Sequence, residues 1–181
     1  MIFKDTAVRG VYVIEPERLE DLRGFFARTW SGRELEERGL DARIAQCSIS
    51  YNHRAGTLRG MHYQAPPHAE VKIVRCTSGS LHDVALDLRP DSPTYLRHAA
   101  VVLSARARNM IYIPEGCAHG FQTLEDGTEV FYQISAAYEP SAARGVRWDD
   151  TAFGIAWPET AERIMIERDR SYPDYVPERA R

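Results

Sequence analysis

Residues 57–64 read TLRGMHYQ and place an arginine, a histidine and a glutamine within six positions of one short run with apolar flanks. Turn-forming residues bound this run, NHRAG before it and a Pro-Pro pair after it, so it is predicted to be a β-strand. Alternation along a strand puts His62 on one face and Arg59 on the other. For both side chains to reach one pocket, Gly60 must allow a bulge, which an isolated glycine in a strand often marks. The alternative is a half-buried strand whose histidine satisfies a hydrogen bond in the core.

Short strands of this kind recur along the chain at fairly even spacing. They are predicted at residues 10–15, 44–51, 57–64, 71–76, 81–88, 99–103, 110–113, 120–124 and 128–135, and a turn within residues 21–26 leads into one further, aromatic strand. Many short strands separated by turns rich in Gly and Pro are typical of a sandwich or a closed antiparallel barrel, so an all-β fold is predicted. Ser31 and Glu34 form a capping box ahead of Gly39 and predict one short helix. A further helical turn is expected near residues 160–166.

Length and composition set the broad class of the protein. The chain has 181 residues, 44% of them hydrophobic, which is enough for one sizeable core, so one domain over residues 1–181 is predicted. The sequence has neither an apolar leader at its start nor a run of 18 apolar residues, so we expect a cytoplasmic protein with no membrane partner. The net charge of -3 disfavours nucleic acid as a partner.

The three cysteines are Cys47, Cys76 and Cys117, and they form no CxxC pair. An odd number of cysteines in a cytoplasmic chain favours free thiols over a disulfide framework or a zinc site. We therefore expect all three to serve as small, half-buried apolar groups.

Four polar residues stand where a buried strand would not favour them: His62, Lys72, His119 and Tyr132. On a central strand the ammonium of Lys72 would be costly to bury without a partner. The simpler alternatives are an edge strand with Lys72 in water, and a core Tyr132 with a satisfied hydroxyl.

A metal site is one use that such histidines have in proteins. Residues 114–120, PEGCAHG, resemble the second conserved box of cupins, which are small double-stranded β-helix barrels. A metal-dependent cupin adds two histidines spaced by one residue and a glutamate. This chain offers His62, Glu70 and His119, but Gln64 stands where the second histidine is expected. Because glutamine is a poor ligand for the metals that imidazole suits, no metal is predicted.

Eight stretches, in the same order along nearly the whole chain, carry a resemblance to a known family. They are residues 21–26 (DLRGFF), 56–64 (GTLRGMHYQ), 72–75 (KIVR), 83–89 (DVALDLR), 112–121 (YIPEGCAHGF), 144–150 (RGVRWDD), 154–158 (GIAWP) and 168–169 (RD). Through them the chain resembles the dTDP-4-dehydrorhamnose 3,5-epimerase family, metal-free cupins of nucleotide-sugar metabolism. The resemblance implies a cupin or double-stranded β-helix (jelly-roll) barrel with short peripheral helices, and a reaction that needs no cofactor.

The resemblance also implies roles for individual residues. The family's base falls on His62, its acidic partner on Asp169, its enolate-stabilising lysine on Lys72 and its proton-donating tyrosine on Tyr132. Its contacts to the phosphates, the sugar and the base fall on Arg23, Phe26, Gln46, Arg59, His119 and Tyr138.

Several positions depart from the family's pattern. Arg28 and Ala143 stand where the family usually has Glu, Cys47-Ser48 stands for Asp-Asn, and Arg168 stands for Lys. We still expect Arg28, Ser48 and Arg168 to contact the substrate. Because a Glu can accept a hydrogen bond from a base N–H whereas an Arg only donates, recognition of the base is expected to change.

The implied reaction is epimerisation of a nucleoside-diphospho-4-keto-6-deoxy sugar at C3, C5 or both, in deoxysugar biosynthesis. Such a reaction needs a base on one face of an enolate and a proton donor on the other, and histidine, with a pKa of about 6.5, suits the base. The family also implies a homodimer with exchanged N-terminal strands, in which Arg23 and Phe26 serve the neighbouring site. Two other classes stay open, a metal-dependent cupin isomerase or dioxygenase and a non-catalytic module that binds nucleotide sugars.

Overall fold

The computed structural model describes residues 1–177, so the last four positions of the predicted domain, 178–181, lie outside the described residues. In chain order the strands are β1 (Ile2–Asp5), β2 (Tyr12–Glu15), β3 (Arg18–Asp21), β4 (Gly24–Ala27), β5 (Gln46–Asn52), β6 (Leu58–Gln64), β7 (Lys72–Ser78), β8 (Ser80–Asp87), β9 (His98–Ser104), β10 (Met110–Ile113), β11 (Cys117–Thr123), β12 (Thr128–Ile134) and β13 (Ala143–Gly145). Two short helices are α1 (Gly32–Glu36) and α2 (Glu167–Arg170). Every predicted strand is present, and β1, β3 and β13 are additional.

The strands form two large antiparallel sheets and one small one. The six-stranded sheet has the order β1-β2-β10-β7-β12-β5, and the five-stranded sheet has the order β13-β6-β11-β8-β9. Strands β3 and β4 pair only with each other, as a separate hairpin. Buried side chains of both large sheets, among them Val74, Val130, Leu81 and Phe121, meet in one core. The predicted all-β barrel with short peripheral helices is therefore confirmed.

The outer face of each large sheet is covered by a different segment. Leu35 of α1 packs on Ile73 and Met110 of the six-stranded sheet. Phe153, from the chain that follows β13, packs with Met61 of the five-stranded sheet. This C-terminal segment then continues to α2, which it brings against β6.

Strand β6 carries the bulge that the sequence requires at Gly60. In the pairing of β6 with β11, His62 lies opposite His119, but the register shifts before Arg59, which lies opposite Phe121. Gly60 has φ +128, and a Cβ placed on it would lie 2.5 Å from the Cα of Gly120. Only a residue without a Cβ can adopt this backbone geometry so close to the neighbouring strand. The bulge therefore lets Arg59 and His62 turn towards the same side.

Helix α1 is confirmed, although only half of its predicted capping box forms. The Ser31 Oγ accepts a hydrogen bond from the Glu34 amide at 3.4 Å, and Gly39 follows the helix with φ +71. The Glu34 carboxylate instead pairs with the N-terminal amine of Met1 at 2.7 Å and with Arg28 at 3.3 Å. The cationic partners outcompete the backbone amide because hydrogen bonds between charged groups are stronger.

The helical turn predicted near residues 160–166 is wrong. Ile164 forms an isolated parallel bridge with Thr57, in which its amide donates to the Gly56 carbonyl at 3.0 Å and its carbonyl accepts from the Leu58 amide at 2.9 Å. A segment whose backbone groups are bonded to a neighbouring strand cannot also make helical bonds. The helical turn forms a few residues later, as α2.

The structure tests two further expectations, that the three cysteines are half-buried free thiols and that the chain has no membrane-spanning helix. Cys76 and Cys117 are buried free thiols, but Cys47 is exposed because it lies on the outward face of the edge strand β5, so the expected half-buried role is wrong for Cys47. In the described part of the chain, neither helix has the length and apolar character needed to cross a membrane.

Candidate active site

A cavity of about 480 Å³ opens between the two large sheets. Strands of both sheets contribute to its wall, and the segment around α2 completes it. Eight of the predicted site residues line this cavity: Ser48, Arg59, His62, Lys72, His119, Tyr132, Arg168 and Asp169.

His62 and Asp169 form a hydrogen-bonded pair at one side of the cavity. The Nε2 of His62 lies 2.8 Å from Oδ1 of Asp169, whose Oδ2 accepts from the Gly60 amide at 3.1 Å. The imidazole side chain is 32% exposed, whereas that of Asp169 is 2% exposed. The carboxylate is therefore sealed behind an imidazole that stays open to the cavity.

The surroundings of Asp169 keep it ionised. Burial by itself would raise the pKa of this carboxyl, but the hydrogen bond with His62, its positive charge when protonated, the Gly60 amide and the cation of Arg168 together hold the pKa below its ordinary value. An ionised carboxylate on the imidazole fixes the tautomer and stabilises the imidazolium. The pair is thus suited to accept a proton.

Arg168 lies beside this pair. Its Nε is 3.4 Å from Oδ1 of Asp169, and its Nη2 is 3.4 Å from Nε2 of His62. The arginine side chain is 58% exposed, so most of its guanidinium remains free to hold an anionic group.

Lys72 brings a nearly buried charge to the cavity, with 8% of the residue exposed. Its Nζ forms an ion pair with Glu70 at 2.9 Å and donates to the carbonyl oxygen of His62 at 3.2 Å. Strand β7 lies between β10 and β12, so the alternative of an edge strand with Lys72 in water is wrong. These partners offset the cost of burying the ammonium and fix it next to His62.

Tyr132 and His119 lie on facing strands, with their ring centroids 6.0 Å apart in an edge contact. His119 is bonded through Nε2 to Oδ2 of Asp83 at 2.8 Å, and both side chains are buried. Burial, together with the charge of Asp83, raises the pKa of Tyr132 well above its ordinary range, although Arg59 acts in the opposite sense. The phenol of Tyr132 therefore stays protonated at neutral pH and can donate.

Arg59 lies at an exposed edge of the same cavity. Its Nε donates to the Asn52 Oδ1 at 2.8 Å, and its Nη2 donates to the Tyr51 carbonyl at 3.5 Å. These bonds hold the guanidinium on β5, which also carries Ser48. The remaining donors can hold an anion at the edge of the cavity.

A second cavity of about 340 Å³ adjoins the first and shares His62 and Arg168 with it. Tyr138 and Tyr172 are among the side chains that line it. Gln46 tethers this region, because its Oε1 accepts from the backbone amide of Tyr138 at 3.3 Å.

Residues 5–176 match the sequence model of a family described as dTDP-4-dehydrorhamnose 3,5-epimerase. The chain belongs to this family. A dTDP-4-dehydrorhamnose 3,5-epimerase from Sinorhizobium fredii is 37% identical over 173 residues, which cover 96% of this chain and 89% of the relative. The crystal structure of a dTDP-4-dehydrorhamnose 3,5-epimerase from Elizabethkingia anophelis is similar with a TM-score of 0.94 and 34% identity, over 97% of this chain and 96% of that one.

A third relative is ChmJ, a 3'-monoepimerase from Streptomyces bikiniensis, solved in complex with dTDP as a double mutant that replaces a histidine by asparagine and a tyrosine by phenylalanine. Its TM-score is 0.84 at 30% identity, over 92% of this chain and 84% of that one. The predicted family is thus confirmed, and with it the cupin-like jelly roll and the isomerase class of enzyme.

Three predicted site residues of this epimerase family member lie away from its cavity. Arg23, Phe26 and Arg28 belong to the hairpin segment of β3 and β4, and none of them lines the His62 cavity within residues 1–177. The side chain of Arg23 is 89% exposed and pairs with Asp21 at 2.6 Å, and Phe26 is 70% exposed. One chain alone therefore does not bring these three residues to the site.

The ligand set of the rival metal-dependent cupin is not assembled. His62 and His119 each use Nε2 on a separate carboxylate, and Glu70 is paired with Lys72. Over residues 1–177 no three His, Cys, Asp or Glu side chains form a group that could hold a metal ion. The donor chemistry of the site thus does not fit a metal.

Several contacts within the site were not predicted from the sequence. Asp83 pairs with His119, and Glu70, which was considered only as a candidate metal ligand, pairs with Lys72. Asp83 could have been noticed as a carboxylate inside an otherwise apolar strand, where an unpaired charge is costly. Ile164 and Ile166 come from an irregular segment and gave no signal.

Proposed function

We propose that this chain is a cofactor-independent epimerase of a nucleoside-diphospho-4-keto-6-deoxy sugar, acting at C3, C5 or both. One observation carries the proposal: His62 on the five-stranded sheet and Tyr132 on the six-stranded sheet line the same cavity together with Lys72. A base and a proton donor that reach a sugar ring from facing sheets are what inversion at carbon requires.

The reaction begins with removal of a proton next to the keto group. The hydrogens at C3 and C5 of a 4-keto sugar are acidic because the carbanion is delocalised onto O4 as an enolate. His62 accepts the proton, and the ionised Asp169 stabilises the imidazolium that forms.

Lys72 and Tyr132 complete the chemistry. The ammonium of Lys72 stabilises negative charge at O4 that exists only in the enolate-like transition state, and one such donor is worth roughly 3 to 4 kcal/mol. Tyr132, kept protonated by its surroundings, returns the proton to the opposite face. In ChmJ the replaced histidine and tyrosine lie 70 positions apart, as His62 and Tyr132 do, which supports these two roles.

The nucleotide is assigned to the exposed side of the site. Arg59 and Arg168 have free donors for a diphosphate, and Tyr138 in the second cavity can stack on a base. The dTDP bound to ChmJ supports a nucleoside diphosphate as the common ligand. His119, Gln46 and Ser48 are assigned to contacts with the sugar and the phosphates.

The assembly is proposed to be a homodimer with exchanged N-terminal strands. The exposed β3–β4 hairpin carries Leu19 and Phe26, which are 67% and 70% exposed, next to Arg23. A two-stranded hairpin is marginally stable by itself, so a second subunit would both cover it and receive its side chains. Arg23, Phe26 and Arg28 would then serve the neighbouring site.

The deciding experiment is incubation with dTDP-4-keto-6-deoxyglucose in heavy water, followed by NMR at C3 and C5. Deuterium incorporation with inversion at one or both carbons is expected without added metal, and it should persist with a chelator. Binding of the nucleotide sugar with no exchange at either carbon would identify a non-catalytic module instead. Activity that a chelator abolishes and a metal restores would favour the metal-dependent class.

A further inference from the structure

Tyr172 lies three residues beyond Asp169, just after α2, and its ring contacts that of His62. The two ring centroids are 6.4 Å apart and the planes are inclined by 69°, which is an edge contact. Because His62 lines both cavities while Tyr172 lines only the second, the tyrosine forms a wall on that side of the imidazole.

Gly145 provides the space in which this ring rests. It lies on β13 directly opposite His62 in the pairing with β6. A Cβ placed on Gly145 would overlap the Tyr172 ring, and the three nearest atoms would be its Cζ, Cε2 and Oη. The φ of Gly145 lies outside the left-handed region, so the backbone itself tolerates a side chain. The position therefore requires glycine because of Tyr172.

The His62 imidazole needs a second restraint. Its Nε2 bonds to Asp169, but the Nη2 of Arg168 also lies 3.4 Å from the same nitrogen. An arginine can only donate, so it favours the tautomer whose Nε2 carries a lone pair, which breaks the bond to Asp169. The last torsion of a histidine is also broad, so one hydrogen bond leaves the ring free to swing.

The contact with Tyr172 supplies that restraint without adding charge. Burial raises the pKa of Tyr172, so its phenol stays neutral at physiological pH. The Tyr172 ring packs edge-on against the imidazole on the side of the second cavity, and so restricts rotation of the imidazole on that side. A displacement of about 1 Å at a catalytic group can cost roughly 100-fold in rate.

We propose that Tyr172, seated on Gly145, is a positioning residue that holds the His62 imidazole on Asp169, and that it acts without binding the nucleotide. The inference rests on the proposed function, in which His62 is the base. It also implies that position 145, on the strand β13 that pairs with β6, must be glycine as long as residue 172 is aromatic.

The test compares Tyr172→Ala, Tyr172→Phe, Gly145→Ala and the double variant Gly145→Ala/Tyr172→Ala. Three quantities are measured: the rate of substrate deuterium exchange at saturation, the Kd for thymidine diphosphate by calorimetry, and the ¹⁵N NMR signals of the His62 ring. Val176→Ala, an exposed change in the same tail, serves as the matched control. Tyr172→Leu repeats the test with less loss of packing, so that poor folding of the alanine variant does not decide the outcome.

We expect Tyr172→Ala and Gly145→Ala each to lower the exchange rate by roughly 10- to 100-fold, while Tyr172→Phe stays near the wild type. The Kd for thymidine diphosphate should change by less than about threefold, and the His62 signals should report a changed tautomer. Adding Gly145→Ala to Tyr172→Ala should cause no further loss, because the ring that the new Cβ would displace is already absent.

Three results would overturn the proposal: an unchanged exchange rate in Tyr172→Ala, additive losses in the double variant, or weaker nucleotide binding at an unchanged rate. The last result would make Tyr172 a nucleotide contact. A wild-type protein that exchanges no substrate proton would refute the proposed function, whereas the His62 signals would still test the positioning role on their own.

Discussion

His62 and His119 lie opposite each other on the paired strands β6 and β11, yet each bonds through Nε2 to a carboxylate of its own, 2.8 Å away in both cases. The two imidazoles differ in access, since the side chain of His62 is 32% exposed and that of His119 is 5% exposed. A base must reach the substrate, so the open imidazole is suited to proton removal. The closed one is suited to hold a fixed hydrogen-bonding position beside Tyr132.

Replacing His62 by alanine is expected to abolish epimerisation and substrate deuterium exchange together, because proton removal precedes every later step. The loss should be about 100-fold or more in both rates, measured by NMR in heavy water. His53→Ala, which removes an exposed histidine from the turn before β6, should leave both rates unchanged. Exchange that survives in His62→Ala at a large fraction of the wild-type rate would show that another group is the base.

Replacing Tyr132 by phenylalanine should separate the two halves of the reaction. The substrate proton is still removed by His62, so exchange persists, but delivery to the opposite face is lost and epimerisation becomes slow. Tyr95→Phe is the matched control, because its hydroxyl bonds to that of Tyr175, outside the His62 cavity. An equal, large fall in both rates would mean that Tyr132 is not a dedicated donor.

The dimer can be tested by complementation between two inactive variants. His62→Ala and Arg23→Ala are each expected to be poorly active, but a mixture should regain up to about a quarter of wild-type activity, since each mixed dimer holds one intact site. Light scattering at micromolar concentration should give twice the mass of one chain. A fully active monomer, or a mixture with no regained activity, would contradict the exchange of Arg23 and Phe26.

Recognition of the nucleobase is expected to be weakly selective. Arg28 is a donor only, Ser48 stands for an amide, and Ala143 offers no side-chain acceptor, so the thymine N–H loses acceptors that a Glu would supply. We predict that thymidine diphosphate binds less than about tenfold more tightly than the cytidine or guanosine counterparts, which is roughly 1.4 kcal/mol. All three should weaken together in Arg59→Ala. Calorimetric titration measures the difference, and a stronger preference for thymidine would show that base recognition is intact.

A buried carboxylate away from the site should govern acid stability. Burial would raise the pKa of Asp87, but hydrogen bonds from Arg89, Ser92 and Thr94 hold it below its ordinary value. A lowered pKa in the folded state contributes stability above about pH 4, where the unfolded carboxyl is also ionised, and this contribution is lost as the pH falls through the folded value.

Asp87→Asn should therefore lower the free energy of unfolding at pH 7 by about 2 to 3 kcal/mol. Between pH 4 and pH 2 the free energy of unfolding should also fall less in the variant than in the wild type, and the difference should correspond to the titration of one carboxyl group. Urea unfolding at several pH values measures both effects. Asp5→Asn, at an exposed position, should leave the curve within about 0.5 kcal/mol of the wild type.

Local patterns predicted the parts of this structure that local forces determine. The barrel strands were located from turn residues and from alternation such as that around Val130 and Tyr132. The glycine at position 60 predicted the bulge in β6. The bridge of Ile164 to Thr57 was missed because it depends on a partner more than 100 positions away, and no short-range pattern encodes such pairing.

The candidate site was predicted largely through sequence motifs. The contacts that were not predicted are again those between segments far apart in the chain. His62, Lys72 and Tyr132 were recognisable because burying a polar group in an apolar strand costs free energy unless the group has a partner or a function. Asp169 was predicted through the family resemblance, but two other contacts were not: Asp83 reaches His119 from a neighbouring strand, and Tyr172 reaches His62 from the C-terminal tail. Such contacts are set by packing of distant segments.

The close approach of Gly60 and Gly120 also determines which side of the cavity can accept substitutions that change the sugar specificity. On that side two backbones touch, so almost any new side chain at either position would push β6 away from β11. On the other side, the β5 residues that line the cavity are Ser48 and Ser50, whose side chains are short. Laboratory evolution towards bulkier or smaller sugars should therefore accumulate its changes on β5, where volume can be traded without moving the base.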